Sequence, residues 1–438
     1  PEELEISSNT TSTHSDLVVR SNIGKKASVM VGARGSFNHI WDSPAFNAYS
    51  DKLFSGKIEN DFLDELNEEE VSSNIVVNSE LLFWDLNAKL TFQPTYKDFF
   101  SASMIMNEDW LDYNGTWTEY HEDDTLSSKS NQRHNVQYDG FNGYYARQWN
   151  DNFKTDLSYC WSYFLMNNSF RFSFNEEGDS IYDLWTTKNQ LYNQEVKAGF
   201  EHTGWKNTVL RGGYQFNYLW NNLVYGAASE FQPEIKDSNE LLGTAHGLYL
   251  NSEHELGKWI LRPQIRADYY TASGELVVNP VFNAQGEIGG GFWVKASAGK
   301  YAQTLRTIDE IAISTSNVTE KIWLMADGDE FDLLKSQQYT LGGIFKKKGW
   351  LIDIDGYYKL VTGLTSINQM SDVNQFDIDF TSGSSTTIGL DAMIKKKFGA
   401  YSTWASYSYS NSMVSFPEIQ AAQYLSSLDR PHQFRLVN

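Results

Sequence analysis

The stretch Trp259–Tyr270 reads WILRPQIRADYY. Its odd positions are Trp259, Leu261, Pro263, Ile265, Ala267 and Tyr269. Its even positions carry Arg262, Gln264, Arg266 and Asp268. A period of two, with one apolar and one charged face, marks an extended strand rather than a helix. The pattern recurs along the chain. Leu82, Trp84, Leu86, Ala88, Leu90 and Phe92 oppose Asp85, Asn87, Lys89 and Gln93. Leu210, Tyr214, Phe216, Tyr218 and Trp220 oppose Arg211, Gln215 and Asn217. Trp350, Ile352, Ile354 and Tyr358 oppose Asp353, Asp355 and Lys359, and Tyr401, Ala405, Tyr407 and Tyr409 oppose a row of serines. The one stretch with helical character, Asp61 to Val71, has loose apolar spacing and lies between two strand patterns.

The connections alternate. Tight turns fall at Gly24-Lys25-Lys26, Pro94-Thr95-Tyr96, Asn150-Asp151-Asn152, Gly257-Lys258 and Lys347-Lys348-Gly349. Between them lie long polar stretches: Asn38 to Ser73, Asn114 to His134, Ser173 to Lys188, Ala227 to Glu240 and Thr304 to Leu334. Short turns at one end and long loops at the other are the layout of a transmembrane β-barrel. Strand patterns of roughly 20 residues, such as Asn74 to Gln93, exceed the roughly 9–11 needed to cross the bilayer. The surplus is expected to project outside. A soluble propeller would also alternate, but its strands are short and it repeats at a fixed period, which this chain lacks. The reading is an all-β transmembrane antiparallel barrel of about 17 strands, from Asp16–Ile23 to the strand opening at Pro431.

Composition narrows the function. The 438 residues carry 56 Asp and Glu against 35 Lys and Arg, a net charge of −21, which disfavours nucleic acid as a partner. One cysteine makes no intramolecular disulfide. A chain that is 15% aromatic is not disordered. The longest apolar runs are about five residues, such as Ile322-Trp323-Leu324-Met325-Ala326, far short of the roughly 20 of a membrane helix. No leader pattern opens the chain, so its first residue reads as mature, internal or cut.

Four stretches resemble the barrel of the TonB-dependent outer-membrane receptors of Bacteroidetes-type bacteria. They are VVRSNIGKKASVMVGARGSF (Val18 to Phe37), FWVKASAGKYAQTL (Phe292 to Leu305), LLKSQQYTLGGIFKKKGWLIDIDGYYKLVTGL (Leu333 to Leu364), and TTIGLDAMIKKKFGAYSTWASYSYSNS (Thr386 to Ser412) followed by YLSSLDRPHQFRLVN (Tyr424 to Asn438). The resemblance implies a barrel of about 22 strands, of which residues 1–438 form a part. It also implies a plug domain before Pro1, last strands after Asn438, and an inner-membrane TonB-type energiser acting through the plug. The implied activity is import of a scarce nutrient (a glycan, a peptide or a metal chelate) across the outer membrane, where lipid is the constant partner.

Candidate substrate-binding residues are the loop aromatics Trp110, Trp117, Tyr120, Trp185 and Trp323, with His121 beside Glu122-Asp123-Asp124. Arg211, Arg262 and Arg266 join them from the lumen. Other inward polar positions are Arg34, Asp85, Arg147, Asp156, Asp353 and Asp355, which also suit a solvated wall. Asp327, Asp329 and Asp332 flank a glycine loop and are candidate Ca²⁺ ligands, without the full spacing of a helix-loop-helix calcium site. No other cofactor is expected. Gly286 and Gly289–Gly291 sit between two strand patterns and read as a turn, not a nucleotide loop. Cys160 falls on the polar face. No nucleophile, metalloprotease or phosphate-loop motif is present, so no enzyme is expected. Two rival roles stay open: a structural barrel subunit capped by a surface lipoprotein, and a passive porin.

Overall fold

The computed structural model describes residues 4–38, 40–41, 43–46, 48, 72–120, 125–176, 179–230, 232–309, 321–368, 379–399 and 401–437. The first strands are β1 (Glu5–Thr10), β2 (His14–Ile23) and β3 (Ala27–Ser36). A run of long strands follows: β4 (Ser72–Phe92), β5 (Asp98–Tyr120), β6 (Thr125–Asn150), β7 (Phe153–Glu176), β8 (Asp179–Trp205), β9 (Thr208–Ser229) and β10 (Gln232–Leu256). Then come β11 (Trp259–Tyr270), β12 (Glu275–Gly289), β13 (Phe292–Gln303), β14 (Leu305–Asp309) and β15 (Lys321–Met325). The last are β16 (Leu334–Lys347), β17 (Trp350–Asn368), β18 (Asp379–Phe398), β19 (Tyr401–Ser415), β20 (Tyr424–Leu425) and β21 (His432–Val437).

All but β14 and β15 belong to one 19-stranded antiparallel sheet. Each strand pairs with the next in the chain, except that β13 pairs with β16 and β19 with both β20 and β21. Among the described residues, β1 pairs on one side only, with β2, and β21 on one side only, with β19. The expected count of about 17 omitted β1 and β20, because EISSNT and the two-residue YL carry no apolar alternation. The helical stretch considered at Asp61 to Val71 lies outside the described residues.

Alternation builds a wall with two chemistries. The outward face exposes Leu90, Phe100, Leu157, Leu248, Ile265, Leu341, Ile354, Leu390 and Leu436. This is a transmembrane wall: strand after strand presents apolar side chains on one face and polar ones on the other. No described helix is long and apolar enough to cross a membrane. The inward face carries ion pairs between strands: Arg34–Asp85 at 2.5 Å joins the neighbours β3 and β4, and Lys295 of β13 reaches across β16 to Asp353 at 2.6 Å and Asp355 at 2.7 Å on β17. Arg147 departs from expectation. It pairs with Asp98 at 3.1 Å, in register beside Phe100 and Tyr145, and its guanidinium lies 4.6 Å from the Trp149 ring. That is the outward face at the tight-turn end, where a long cation stays wet beside an interfacial aromatic.

Tight turns close one end of the wall. Gly24, Gly257 and Gly399 there adopt the left-handed conformation that a short hairpin turn demands. Gly289, Gly290 and Gly291 also have positive φ and form the β12–β13 turn. At the other end three of the long polar stretches, Asn114 to His134, Ser173 to Lys188 and Ala227 to Glu240, are largely strand, not loop. β7 runs to Glu176 with β8 beginning at Asp179, and β9 runs to Ser229 with β10 beginning at Gln232. Beyond the lipid both faces are polar, so the period vanishes from the sequence while the backbone ladder continues.

Candidate functional site at the barrel mouth

The large fully buried side chains gather at the loop end of the lumen, not within the lipid band. The chain leaves the wall after β13 and forms the separate hairpin β14–β15, with Ile308 paired to Ile322 and Arg306 to Leu324. It returns through a tight turn to β16. Ile308, Ile322, Leu324 and Phe331 bury themselves against Phe164, Met166 and Leu223 of the wall. Phe164 and Met166 alternate with the outward Leu157 and Tyr159, so this cluster lies inside the barrel. The hairpin reaches β8 and β9 on one side and β17 on the other. A second cluster of Tyr270, Ala326 and Leu333 seats the returning turn against Ala245, Val277 and Ala302.

Polar contacts fix the register of this docking. The Trp323 N–H donates to Asn189 Oδ1 at 2.8 Å. Its carbonyl accepts from Asn189 Nδ2 at 3.0 Å and from Asn221 Nδ2 at 3.1 Å. Both asparagines are essentially fully buried, at 0% and 1% exposure, so these bonds replace lost water contacts on the hairpin's edge. On the other strand, buried Arg306 donates to the Gly363 and Asp332 carbonyls and to Thr365 Oγ1 at 2.7 Å. Burial pushes its guanidinium below the usual value, while Asp332 and Asp327 push it back up. Gly363 occupies a β-bulge with φ +76°, which turns its carbonyl toward that arginine. Asp327 Oδ1 accepts from the backbone N–H of Asp329 at 2.9 Å and of Phe331 at 2.8 Å, which shapes the turn.

The residues singled out in sequence do not converge. Trp323 lies in the hairpin, half-buried against the inner cluster. Trp185 stacks on Phe170, ring centroids 5.6 Å apart, on the inward face near the far rim. Trp110 lines an outward cleft instead. His121 lies outside the described residues, as do the side chains of Trp117 and Tyr120. The lumen arginines are partnered: Arg211 with Glu201 at 2.6 Å, Arg262 with Glu253 at 2.6 Å, and Arg266 with Asp268 at 2.7 Å and Gln215 at 3.0 Å. Asp327 is spent on its turn, and Asp329 and Asp332 are exposed; among the described residues no three His, Cys, Asp or Glu side chains gather as a metal needs. Cys160 points inward, in register with Asn142 and Glu195. Sequence reasoning missed Asn189, Asn221 and Arg306. The available signal was the run Ile322–Ala326, an apolar segment inside an otherwise polar loop.

No protein-family model matches this chain, and no curated protein matches it. Solved structures do. The outer membrane transporter YddB from Escherichia coli superposes with a TM-score of 0.59 at 10% identity, over 92% of this chain and 55% of that one. The RagAB peptide transporter gives 0.57 at 8% identity, over 92% and 51%. The copper transporter OprC gives 0.56 at 9% identity, over 94% and 62%. The chain therefore has the fold of the outer-membrane transporter barrel, and it spans between half and two thirds of those chains' length.

Proposed function

We propose that this chain is the wall of an outer-membrane importer of the TonB-dependent type, and that the docked hairpin forms the inner rim of its substrate entrance. The observation that carries this is the hairpin itself. A loop buried against the inner wall narrows the mouth and holds a shaped surface across it, as selective uptake requires and a wide passive channel does not. The solved structures of this fold carry names of peptide and copper transporters, so a peptide or a chelated metal leads among substrates, with glycans beside them. The energy would come from an inner-membrane partner acting on a plug outside residues 1–438, and a surface lipoprotein would cover the mouth. We assign the chain no enzymatic step and no cofactor.

The test is uptake of labelled oligopeptide, oligosaccharide and chelated metal by cells with and without the gene, each with and without a protonophore. The proposal expects one substrate class whose uptake falls on deletion and equally on de-energising. Uptake that needs the gene but ignores the protonophore would indicate a porin. Unchanged uptake, with loss of a surface lipoprotein from the membrane, would indicate a structural subunit.

A further inference from the structure

One corner of the tight-turn end is basic, although the chain as a whole carries a charge of −21. Six of the chain's 35 Lys and Arg fall in two runs of three, Lys346-Lys347-Lys348 and Lys395-Lys396-Lys397. The fold sets these runs side by side. The first enters the β16–β17 turn, with Lys347 opposite Trp350, and the second ends β18, with Lys396 opposite Trp350 from the other side. The Lys397 N–H donates to the Gly349 carbonyl at 3.0 Å, and Lys396 Nζ donates to the Lys348 carbonyl at 3.0 Å. Register gives the lysines two faces. Lys347 and Lys396 flank Trp350 on the outward face, whereas Lys346 and Lys395 flank Leu351 on the lumen side.

These cations are unmatched. Among the described residues the lysines in ion pairs are Lys258, Lys295 and Lys335, and none of the six is among them. The first acid beyond the β16–β17 turn, Asp353, faces the lumen and is held by Lys295. Outside, the wall rises through Ile352, Ile354 and Tyr358 of β17 and through Ile394, Leu390 and Ile388 of β18, with no carboxylate on either row. Backbone geometry singles out Lys348 as well. The two-residue turn Lys348-Gly349 has φ of +49° and +77°, the left-handed pair that favours Asn-Gly. A lysine is disfavoured at the first of these positions; the other described non-glycine residue with positive φ is Asn207, of a type that tolerates it. The turn holds an ammonium group where backbone preference alone would choose another residue.

Height and surroundings name the ligand. A two-residue turn projects no loop, so these ammonium groups stand level with the end of the apolar wall. Phe292, Trp350, Phe398 and Tyr401 are exposed at the same level, as an interfacial girdle would be. Lys396 Nζ lies 4.5 Å from the Trp350 ring and 5.3 Å from the Phe398 ring, so its stem follows apolar surface and its charge reaches the wet end. Phospholipid phosphates lie at this depth. Short turns mark the periplasmic side of such a barrel, which fixes the leaflet. We propose that the corner formed by Lys347, Lys348 and Lys396 binds the headgroup phosphate of an anionic phospholipid in the periplasmic leaflet. A zwitterionic headgroup carries its own cation and leaves the lysine charge unbalanced, so the corner selects lipid of net negative charge. The site faces away from the lumen, so it is independent of what the barrel imports.

The test places the full protein in nanodiscs of phosphatidylethanolamine with phosphatidylglycerol as the minor component. Lipids retained on release into mild detergent are counted by native mass spectrometry. The wild type should retain phosphatidylglycerol in preference. The variant Lys347→Gln/Lys348→Asn/Lys396→Gln should retain about tenfold less of it, with asparagine chosen to suit the turn. Lys346→Gln/Lys395→Gln/Lys397→Gln removes the same charge from the lumen side of the same turns and should retain nearly as much as the wild type. Equal retention by the first variant would overturn the site, and so would an equal loss in both variants, which would mean general attraction to a basic rim. Full displacement by millimolar inorganic phosphate would make it a free-anion site. Binding of polyglutamate in preference to phosphatidylglycerol would make it a protein-docking surface, and either result overturns the lipid assignment. Heat-modified gel migration reports folding; if the outward triple variant does not fold, Lys396→Gln alone carries the same comparison.

Discussion

Asn189 holds both the N–H and the C=O of Trp323, and Asn221 holds the C=O a second time. Replacing both asparagines with alanine leaves two buried backbone groups without partners, at a cost of about 1–3 kcal/mol each. The expected result is faster hydrogen exchange across Lys321–Met325, with wall strands such as β11 unchanged. Uniform exchange across both regions would mean that the asparagines stabilise the whole barrel instead. Gly363 poses a second single-residue case. Its φ is +76°, and an added Cβ would lie 2.4 Å from the Leu333 carbonyl oxygen. Gly363→Ala should destabilise the Arg306 contact by about 1–3 kcal/mol, read as a lower thermal transition, whereas Gly343→Ala, with its nearest neighbour at 3.6 Å, should be close to neutral. Little of this site was legible at residue scale. An asparagine in a polar strand looks the same whether it faces water or caps a hairpin edge, and Arg211 and Arg262 looked available because their acidic partners lie on the preceding strand.

The hairpin β14–β15 is the element on which the functional reading rests. Its core positions Ile322 and Leu324 alternate with Trp323, a period visible in the sequence but too short to separate from a chance apolar run. Ile322→Ala should open a cavity costing about 2–5 kcal/mol of docking stability. In the full protein with its plug deleted, replacing residues 305–325 with a short Gly-Ser linker should leave the wall folded and raise single-channel conductance in a planar bilayer. Unchanged conductance would show that the hairpin does not narrow the path. The long strands were half legible. Inside the lipid the two faces differ in polarity and the period is plain; above it both faces meet water, and Ser173 to Lys188 reads as loop although most of it is ladder.

At the scale of the whole molecule, one sheet separates lipid from lumen, and the sequence carried that division clearly because a strand's period of two maps directly onto two solvents. Charge on the outward face should therefore be costly and charge on the inward face cheap. Ile265→Arg should lower stability by about 2–4 kcal/mol, and Gln264→Arg, one residue away on the other face, by much less. The most direct measurement is a cysteine scan of Trp259 to Tyr270 in a Cys160→Ser background, with the protein in its membrane. Each position is labelled with an impermeant maleimide, and a fluorophore at the same position is tested for quenching by brominated lipid. The account predicts alternation: labelling at Arg262, Gln264 and Arg266, quenching at Leu261, Pro263, Ile265 and Ala267, with the buried position 268 silent to both. Equal labelling of both faces without quenching would contradict a membrane wall and leave a water-soluble sheet.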